Sequence, residues 1–251
     1  MRRRFFVDKF ENQRAVMEGE AAHHLGRVLR AQPGQLYELS DGSHVWLGRI
    51  EAVSRNKVDF LLLEELAAYE PDIETTLLLS VVKFDAFEWA LEKATELGVH
   101  TILPLAAARS EKTLLASAPK RAERWKKILH DASQQSRRVR LPVLEPLAAP
   151  ETAFRGHREG VRILLSEDPD AKPLRDVLRR RHDHPAVLAI GPEGGWTEPE
   201  LEGARSAHFT IASLGRLILR TETAVIAALA NINFALSHDQ GLTTGDRTLE
   251  A

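Results

Sequence analysis

The sequence has no cysteine among its 251 residues, which excludes disulfide bonds, iron–sulfur clusters, thiolate zinc sites and a cysteine nucleophile. It also lacks any apolar run of membrane-spanning length. Residues 1–7 include three arginines, but no apolar signal-peptide core or small-residue cleavage site follows them. We therefore expect a cytoplasmic protein without a membrane segment.

Several common catalytic motifs are absent as well. The chain has neither a GxGxxG dinucleotide fingerprint nor a Walker A loop, and its ten histidines form no HExxH pattern. The neighbouring histidines His23 and His24, and the pair His182 and His184, are more typical of surface positions or local packing than of metal ligands. The sequence gives weak support to an NTPase, and we expect no metal site.

The composition is that of an ordinary folded protein, with 43% hydrophobic and 28% charged residues and a net charge of −2. The charge is uneven, because residues 109–140 contain ten basic and three acidic side chains. Such a local excess can attract phosphates, although a solvated helix face explains residues 120–127 equally well. The cluster of Arg137, Arg138 and Arg140 follows a polar run at residues 133–136, which favours RNA contact.

The first seventy residues have the pattern of a small β-barrel. Apolar or alternating runs predict strands at residues 5–7, 36–39, 45–50 and 58–62, and turn residues lie at 32–34 and 40–42. A helix is predicted at residues 20–29. Residues 66–72, which include Pro71, are the predicted linker to the rest of the chain.

From residue 75 onward, predicted strands and helices alternate. Strands are predicted at residues 76–82, 101–105, 161–165, 186–190 and 209–214. Helices are predicted at residues 87–94 with Gly98 as a terminator, and at 121–135, 173–181, 201–207 and 222–236. This alternation indicates a mostly parallel sheet covered on both faces, in which ligands bind at the carboxyl ends of the strands.

The first junction that carries chemical information follows the predicted strand at 186–190. Residues 191–195 read Gly-Pro-Glu-Gly-Gly, and glycines allow a ligand to approach the backbone closely. Thr197 and Glu200 form a capping-box pattern that fixes the start of the next helix. A tight surface turn would explain the glycines but not Glu193 between them, which favours a ligand-binding loop.

The second junction, residues 214–224, joins an apolar strip to the last predicted helix. Thr221 suits the N-cap position, and Glu222 suits the positive end of the helix dipole. Capping does not explain Arg220, a cation placed at that same positive end. Either an anionic ligand compensates it, or Arg220 pairs with Glu193 or Glu222 and braces the two loops.

These two junctions resemble the signature loops of the bacterial 16S ribosomal RNA (uracil-N3) methyltransferases, a family of the SPOUT superfamily. The similarity continues in earlier blocks, so that it covers nearly the whole chain in the family's order. These blocks are residues 3–6, 23–30, 34, 40–42, 93–99, 104, 109–110 and 135–142. The sequence departs from the family at Leu217, where a basic residue is usual, and at Arg137, where a small residue is usual.

The resemblance implies an α/β protein with an N-terminal PUA-like RNA-binding β-barrel, residues 1–70, and a C-terminal SPOUT methyltransferase domain, residues 73–240, that contains a trefoil knot. It also implies S-adenosyl-L-methionine (SAM) as the cofactor, a homodimer, and 16S rRNA of the small ribosomal subunit as the substrate. Methylation of another base or of a ribose 2′-hydroxyl stays open, as does a non-catalytic role in ribosome assembly. The intact glycines argue against the last of these.

The same resemblance assigns roles to individual residues. Arg220 is the expected catalytic cation, and Glu193 or Glu222 the expected base. The expected cofactor-binding residues are Leu165, Ser166, Gly191, Pro192, Glu193, Gly194, Gly195, Leu214, Gly215, Leu219, Thr221 and Ala224. The expected RNA-binding residues are Arg3, Arg4, His24, Arg27, Arg30, Arg109, Gln135, Arg137 and Arg138.

Overall fold

The computed structural model describes residues 3–157, 159–179 and 185–236, which form two β-sheets with associated helices. Residues 180–184 and 237–240, on which parts of the predicted helix at 173–181 and of the predicted C-terminal domain fall, lie outside the described residues, as do His182 and His184. The first sheet ends at Leu66 and the second begins at Thr75. Within the described residues, no helix has the length and apolar character needed to span a membrane.

The N-terminal sheet has six strands in the order β1-β4-β5-β6-β3-β2. They are β1 (Arg4–Phe6), β2 (Phe10–Glu11), β3 (Arg14–Glu18), β4 (Leu36–Ser40), β5 (Val45–Val53) and β6 (Lys57–Leu66). Helix α1 (Gly19–His23) and a π-helical turn (His24–Val28) add Ala22 and Leu25 to the core of this sheet. The sheet is curled into a half-barrel whose two edges are β1 and β2, in agreement with the predicted PUA-like fold.

The C-terminal sheet has seven strands, all parallel, in the order β11-β13-β10-β12-β7-β8-β9. Its strands are β7 (Thr75–Ser80), β8 (Thr101–Leu105), β9 (Val143–Leu144), β10 (Val161–Leu165), β11 (Lys172–Pro173), β12 (Ala186–Ile190) and β13 (Thr210–Ser213). Its helices are α2 (Phe84–Glu96), α3 (Lys112–Gln135), α4 (Pro150–Gly156), α5 (Leu174–Leu178), α6 (Glu198–Ser206) and α7 (Thr221–Leu236). The predicted α/β class is confirmed.

Helices cover both faces of this sheet, as the apolar strands require. Successive side chains of a strand point to opposite faces, so Leu77 and Leu79 of β7 pack in one core while Leu78 packs in the other. The first core contains side chains of α2, α3 and α7, and the second contains side chains of α4 and α6. The carboxyl ends of the central strands therefore form one accessible edge between two helical layers.

Helix α3 is the largest departure from the predicted elements. It begins at Lys112, nine residues before the predicted start, and it contains Pro119. Proline removes one helical hydrogen bond, but Pro119 is exposed and its neighbour Ala118 is fully buried in the core. Tertiary packing thus keeps the helix continuous across a residue that sequence patterns treat as a break.

A buried polar joint connects the two sheets. Arg4 of β1 donates to Glu38 of β4 at 3.0 and 3.2 Å, and it also donates to the carbonyl oxygen of Arg137, just after α3. The Arg137 guanidinium lies 3.5 Å from the same carboxylate. Ser40 donates its hydroxyl to the carbonyl of Val139 at 2.5 Å. Arginines from both sides thus share one buried carboxylate.

Candidate active site

The two loops singled out in the sequence meet at the carboxyl edge of the C-terminal sheet. Strands β13, β10 and β12 are neighbours in the sheet and parallel, so the segments that follow them leave at the same edge. Leu165 and Ser166 lie at the end of β10, Gly191 begins the loop after β12, and Leu214 begins the loop after β13. The Ser166 amide donates to the Ala212 carbonyl at 2.9 Å, which extends the pairing of β10 with β13.

Trp196 supports the first loop from below. Its buried indole N–H donates to the Leu165 carbonyl at 2.9 Å, and its ring packs against Phe154. A Cβ atom on Gly191 would lie 3.0 Å from two atoms of this indole, so glycine is needed for the close approach. The loop after β12 is therefore tied to the end of β10 through one aromatic side chain.

The segment after β8 braces the same loop from its side. Arg109 donates from Nη1 to the Gly194 carbonyl at 2.7 Å, and its side-chain carbons lie against Gly194. The Ala108 amide donates to the Glu200 carboxylate at 2.8 Å, while Glu200 completes the predicted capping box with Thr197. One hydrogen bond thus fixes the loop of residues 191–195 relative to the segment that follows β8, and the other fixes the start of α6.

The second loop touches the first through Thr221, but not in the predicted capping role. Helix α7 begins at Thr221, and the Arg220 carbonyl accepts the first helical hydrogen bond, from Ala224, at 2.9 Å. Arg220 is therefore the N-cap. Thr221 is buried, and its hydroxyl donates to the Gly191 carbonyl at 3.4 Å. This contact brings the start of α7 beside the glycine loop.

Other expected cofactor-binding residues surround this junction. Gly215 has φ +135° and open space where a Cβ would stand. Leu214 and Ala224 are half-buried against the core. Leu219, which lies between them in the sequence, is half-buried as well. Main-chain groups and small or apolar side chains therefore dominate this part of the edge.

A cavity of about 340 Å³ opens beside the glycine loop. Val81 and Val82, which follow β7, and Leu114 of α3 give it an apolar lining. Its charged lining residues are Lys83, Arg109, Glu111 and Glu193. Among the expected catalytic residues, Glu193 lines this cavity.

The expected catalytic side chains are not engaged with one another. Arg220 and Glu193 are exposed, and Glu222 is half-buried in the first turn of α7. Within the part of the chain that the structure describes, none of the three side chains makes a hydrogen bond or an ion pair. The alternative in which Arg220 pairs with Glu193 or Glu222 is therefore wrong for this structure.

The expected RNA-binding residues fall into two groups. Most are exposed, and these are Arg3, His24, Arg27, Arg30, Arg109, Gln135 and Arg137. Arg4 and Arg138 are buried, so the expectation that they contact RNA needs correction. Arg4 belongs to the joint between the sheets, and Arg138 donates to the carbonyls of Thr95 at 3.0 Å and Arg140 at 3.2 Å.

The remaining members of the arginine cluster are also held by protein groups. Arg140 donates to Glu70 at 3.1 Å, and Arg137 lies beside Glu38. Burial lowers the pKa of Arg138 from its usual value, since the charged form is the one that loses hydration. Arg137 therefore serves the contact between domains, while Arg138 and Arg140 bond to α2 and to the linker, and the polar run before the cluster gave no signal of these roles.

Comparison with known proteins agrees with this architecture. A family model described as an RNA methyltransferase domain matches residues 69–233, and one described as an RNA methyltransferase PUA domain matches residues 18–63. Fold and site together thus define an RNA methyltransferase with an N-terminal PUA domain. The chain belongs to the ribosomal RNA small subunit methyltransferase E family, and the resemblance drawn from the sequence is confirmed at this level.

Three relatives illustrate the match. The family member from Synechocystis is 36% identical over 85% of this chain and 71% of its own length. The member from Bacillus subtilis is 30% identical over 91% of both chains. The crystal structure of the Neisseria gonorrhoeae enzyme bound to S-adenosyl methionine is similar with a TM-score of 0.84 and 29% identity, over 94% of this chain and 98% of that one.

Proposed function

We propose that this protein transfers a methyl group from SAM to N3 of a uridine in 16S rRNA of the small ribosomal subunit. The observation that carries the proposal is the convergence of two family loops at one sheet edge, beside a cavity that Glu193 lines. The names of the relatives support ribosomal RNA of the small subunit as substrate, and the Neisseria structure supports SAM.

The residues at the edge fit SAM. The glycine loop keeps bulky side chains away from the ligand, and Gly215 leaves open space next to Leu214. Main-chain donors and acceptors suit the edge of an adenine, while Leu214 and Leu219 suit its faces. SAM supplies an activated methyl group when bound, and the protein's task is to align the acceptor with it.

The acceptor nitrogen requires a base and a cation. N3 of uridine carries a proton, so a carboxylate must accept that proton before or during transfer. Glu193 lines the cavity and Glu222 does not, which favours Glu193 in this role. Arg220, with no partner among the described residues, stabilises the developing negative charge or holds a substrate phosphate.

The RNA footprint is assigned to exposed groups on both domains. His24, Arg27 and Arg30 lie in or near the π-helical turn of the N-terminal domain, and Gln135 lies at the end of α3. Exposed cations of this kind bind phosphates and position RNA, whereas the target base itself must be unpaired and splayed from its neighbours.

The homodimer, the knot and the cytoplasmic location belong to the same proposal. Leu217 and Ile218 of the second loop and Phe234 of α7 have 83%, 79% and 91% of their surfaces exposed, which supports a covering partner subunit. The knot is inferred from the resemblance of the two loops to those of the SPOUT superfamily. The location follows from the substrate.

The decisive experiment uses small ribosomal subunits from a strain that lacks this protein. Incubation with the protein and methyl-labelled SAM, followed by digestion and mass mapping of the 16S rRNA, should place the label on uridine N3. Label on a ribose hydroxyl or on another base would assign the enzyme a different reaction. Tight subunit binding without any label would support the assembly factor instead.

A further inference from the structure

The cavity beside the glycine loop is lined by four charged residues, of which only Glu193 is among the expected cofactor-binding residues. Its volume, about 340 Å³, is at the small end of ligand pockets, which range from about 300 to 1,000 Å³. It is thus suited to a single nucleotide base with its sugar. Since it adjoins Gly194, whatever enters it lies next to the loop assigned to SAM.

Lys83 is the one cation of this lining that has no protein partner in the described part of the chain. Arg109 is committed to the Gly194 carbonyl at 2.7 Å, and Glu111 accepts a hydrogen bond from Thr113. Lys83 is exposed and makes neither a hydrogen bond nor an ion pair with its side chain. It is also the N-cap of α2, where the helix dipole disfavours a cation. A ligand with negative charge would compensate Lys83.

Uracil matches this arrangement of groups. Its N3–H is flanked by two carbonyl oxygens, so the edge presents acceptor, donor and acceptor. Lys83 can donate to a carbonyl oxygen while Glu193 accepts the N3 proton, and the apolar residues Val81, Val82 and Leu114 can contact the ring. After loss of the proton, the negative charge spreads onto the oxygens, where a lysine stabilises it most.

Resting on the proposed function, we propose that this cavity receives the target uracil and that Lys83 stabilises its N3-deprotonated form. The N3 proton passes to the Glu193 carboxylate, and the N3 electron pair forms the bond to the methyl carbon. The methyl–sulfur bond breaks with its electron pair left on sulfur, which becomes a neutral thioether. Lys83 is thus a catalytic residue that selects a pyrimidine with an acidic N3.

Single-turnover methylation of subunits from the deficient strain tests this role. At saturating subunits and SAM, Lys83→Met should lower the rate at neutral pH by roughly 100-fold, the usual effect of one preorganised charge contact. Lys83→Arg, which keeps the charge, should recover most of the rate. Lys57→Met is the matched control, because Lys57 pairs with Asp59 in the N-terminal sheet and does not line the cavity.

The pH profile of the methylation rate separates stabilisation of the deprotonated uracil by Lys83 from other roles of this residue. Without Lys83, uracil deprotonates less readily, so the pH at which the rate levels off should rise and the deficit should shrink as pH increases. The melting temperature and the SAM affinity measured by calorimetry should stay unchanged. A wild-type rate in Lys83→Met, or a deficit that is equal at every pH, would overturn the assignment. Absence of uridine-N3 product with the wild-type protein would instead refute the proposed function.

Discussion

Replacing Gly191 with alanine should test the packing that supports the glycine loop, residues 191–195. The added methyl group would lie 3.0 Å from Cε2 and Nε1 of Trp196, and 3.3 Å from Cδ2. Gly191 is not among the residues with positive φ, so an alanine meets no backbone strain there. The indole cannot retreat freely, because its N–H is bonded to the Leu165 carbonyl at 2.9 Å. Either this hydrogen bond lengthens or the loop moves outward.

A longer hydrogen bond and an outward movement of the loop should each change a quantity that can be measured. Overpacking of a close contact typically costs about 1–3 kcal/mol of unfolding free energy. For a protein of this length that corresponds to a fall in melting temperature of roughly 2–10 °C. A loop displaced by the methyl group should also bind SAM about tenfold more weakly, which is about 1.4 kcal/mol. Differential scanning calorimetry and isothermal titration with SAM measure the two effects on the same preparation.

A second glycine and a double-mutant cycle make the test specific. Gly203 lies inside α6, and a Cβ atom added there would have nothing within 4 Å, so Gly203→Ala should stabilise the protein by about 0.5–1 kcal/mol. In a Trp196→Ala background the indole atoms that Gly191→Ala would strike are gone, and its cost should largely disappear. An equal cost of Gly191→Ala in both backgrounds would refute the packing argument.

Three further changes address the other roles. Arg220→Ala should leave the melting temperature unchanged and reduce the single-turnover rate at saturating RNA by roughly 100-fold or more, whereas near-normal transfer would remove Arg220 from catalysis. Glu38→Ala should lower the unfolding free energy by about 3–5 kcal/mol, because it leaves Arg4 buried without its carboxylate. Glu65→Ala, at an exposed position, is the control. If Glu38→Ala lowered the unfolding free energy in chemical denaturation as little as Glu65→Ala does, Glu38 would not stabilise the joint between the sheets. Arg27→Ala should reduce the salt slope of RNA binding by about 1 without affecting SAM affinity, and an unreduced slope would place Arg27 outside the footprint.

The elements that sequence patterns located well are those with strong local signals. The strand at 186–190 is apolar at every position and leads into a glycine turn, and the structure has β12 at these residues. The capping box of Thr197 and Glu200 is present as predicted. In both cases the residues that determine the structure lie within a few positions of one another, so periodicity and capping rules suffice.

Contacts between distant segments could not be inferred in this way. Trp196 reaches Leu165 across 31 positions, and Arg109 reaches Gly194 across 85. Tryptophan after a glycine loop is compatible with many packing partners, and an arginine in a basic run looks the same whether it faces RNA or a carbonyl. Lys83 could not be inferred either, because a single lysine between a strand and a helix has no motif of its own.

The arginines show most clearly why charge patterns alone misplace an RNA surface. Arg138 and Arg4 stand in basic clusters, yet both are buried, since each long side chain finds acceptors that no local rule could foresee. A buried charge is tolerated only when partners compensate its lost hydration. Glu38 provides that compensation for Arg4 and lies beside Arg137, which comes from the other domain. The same carboxylate that permits burial therefore also ties the N-terminal sheet to the end of α3, and any change in it should alter how the two domains are held together.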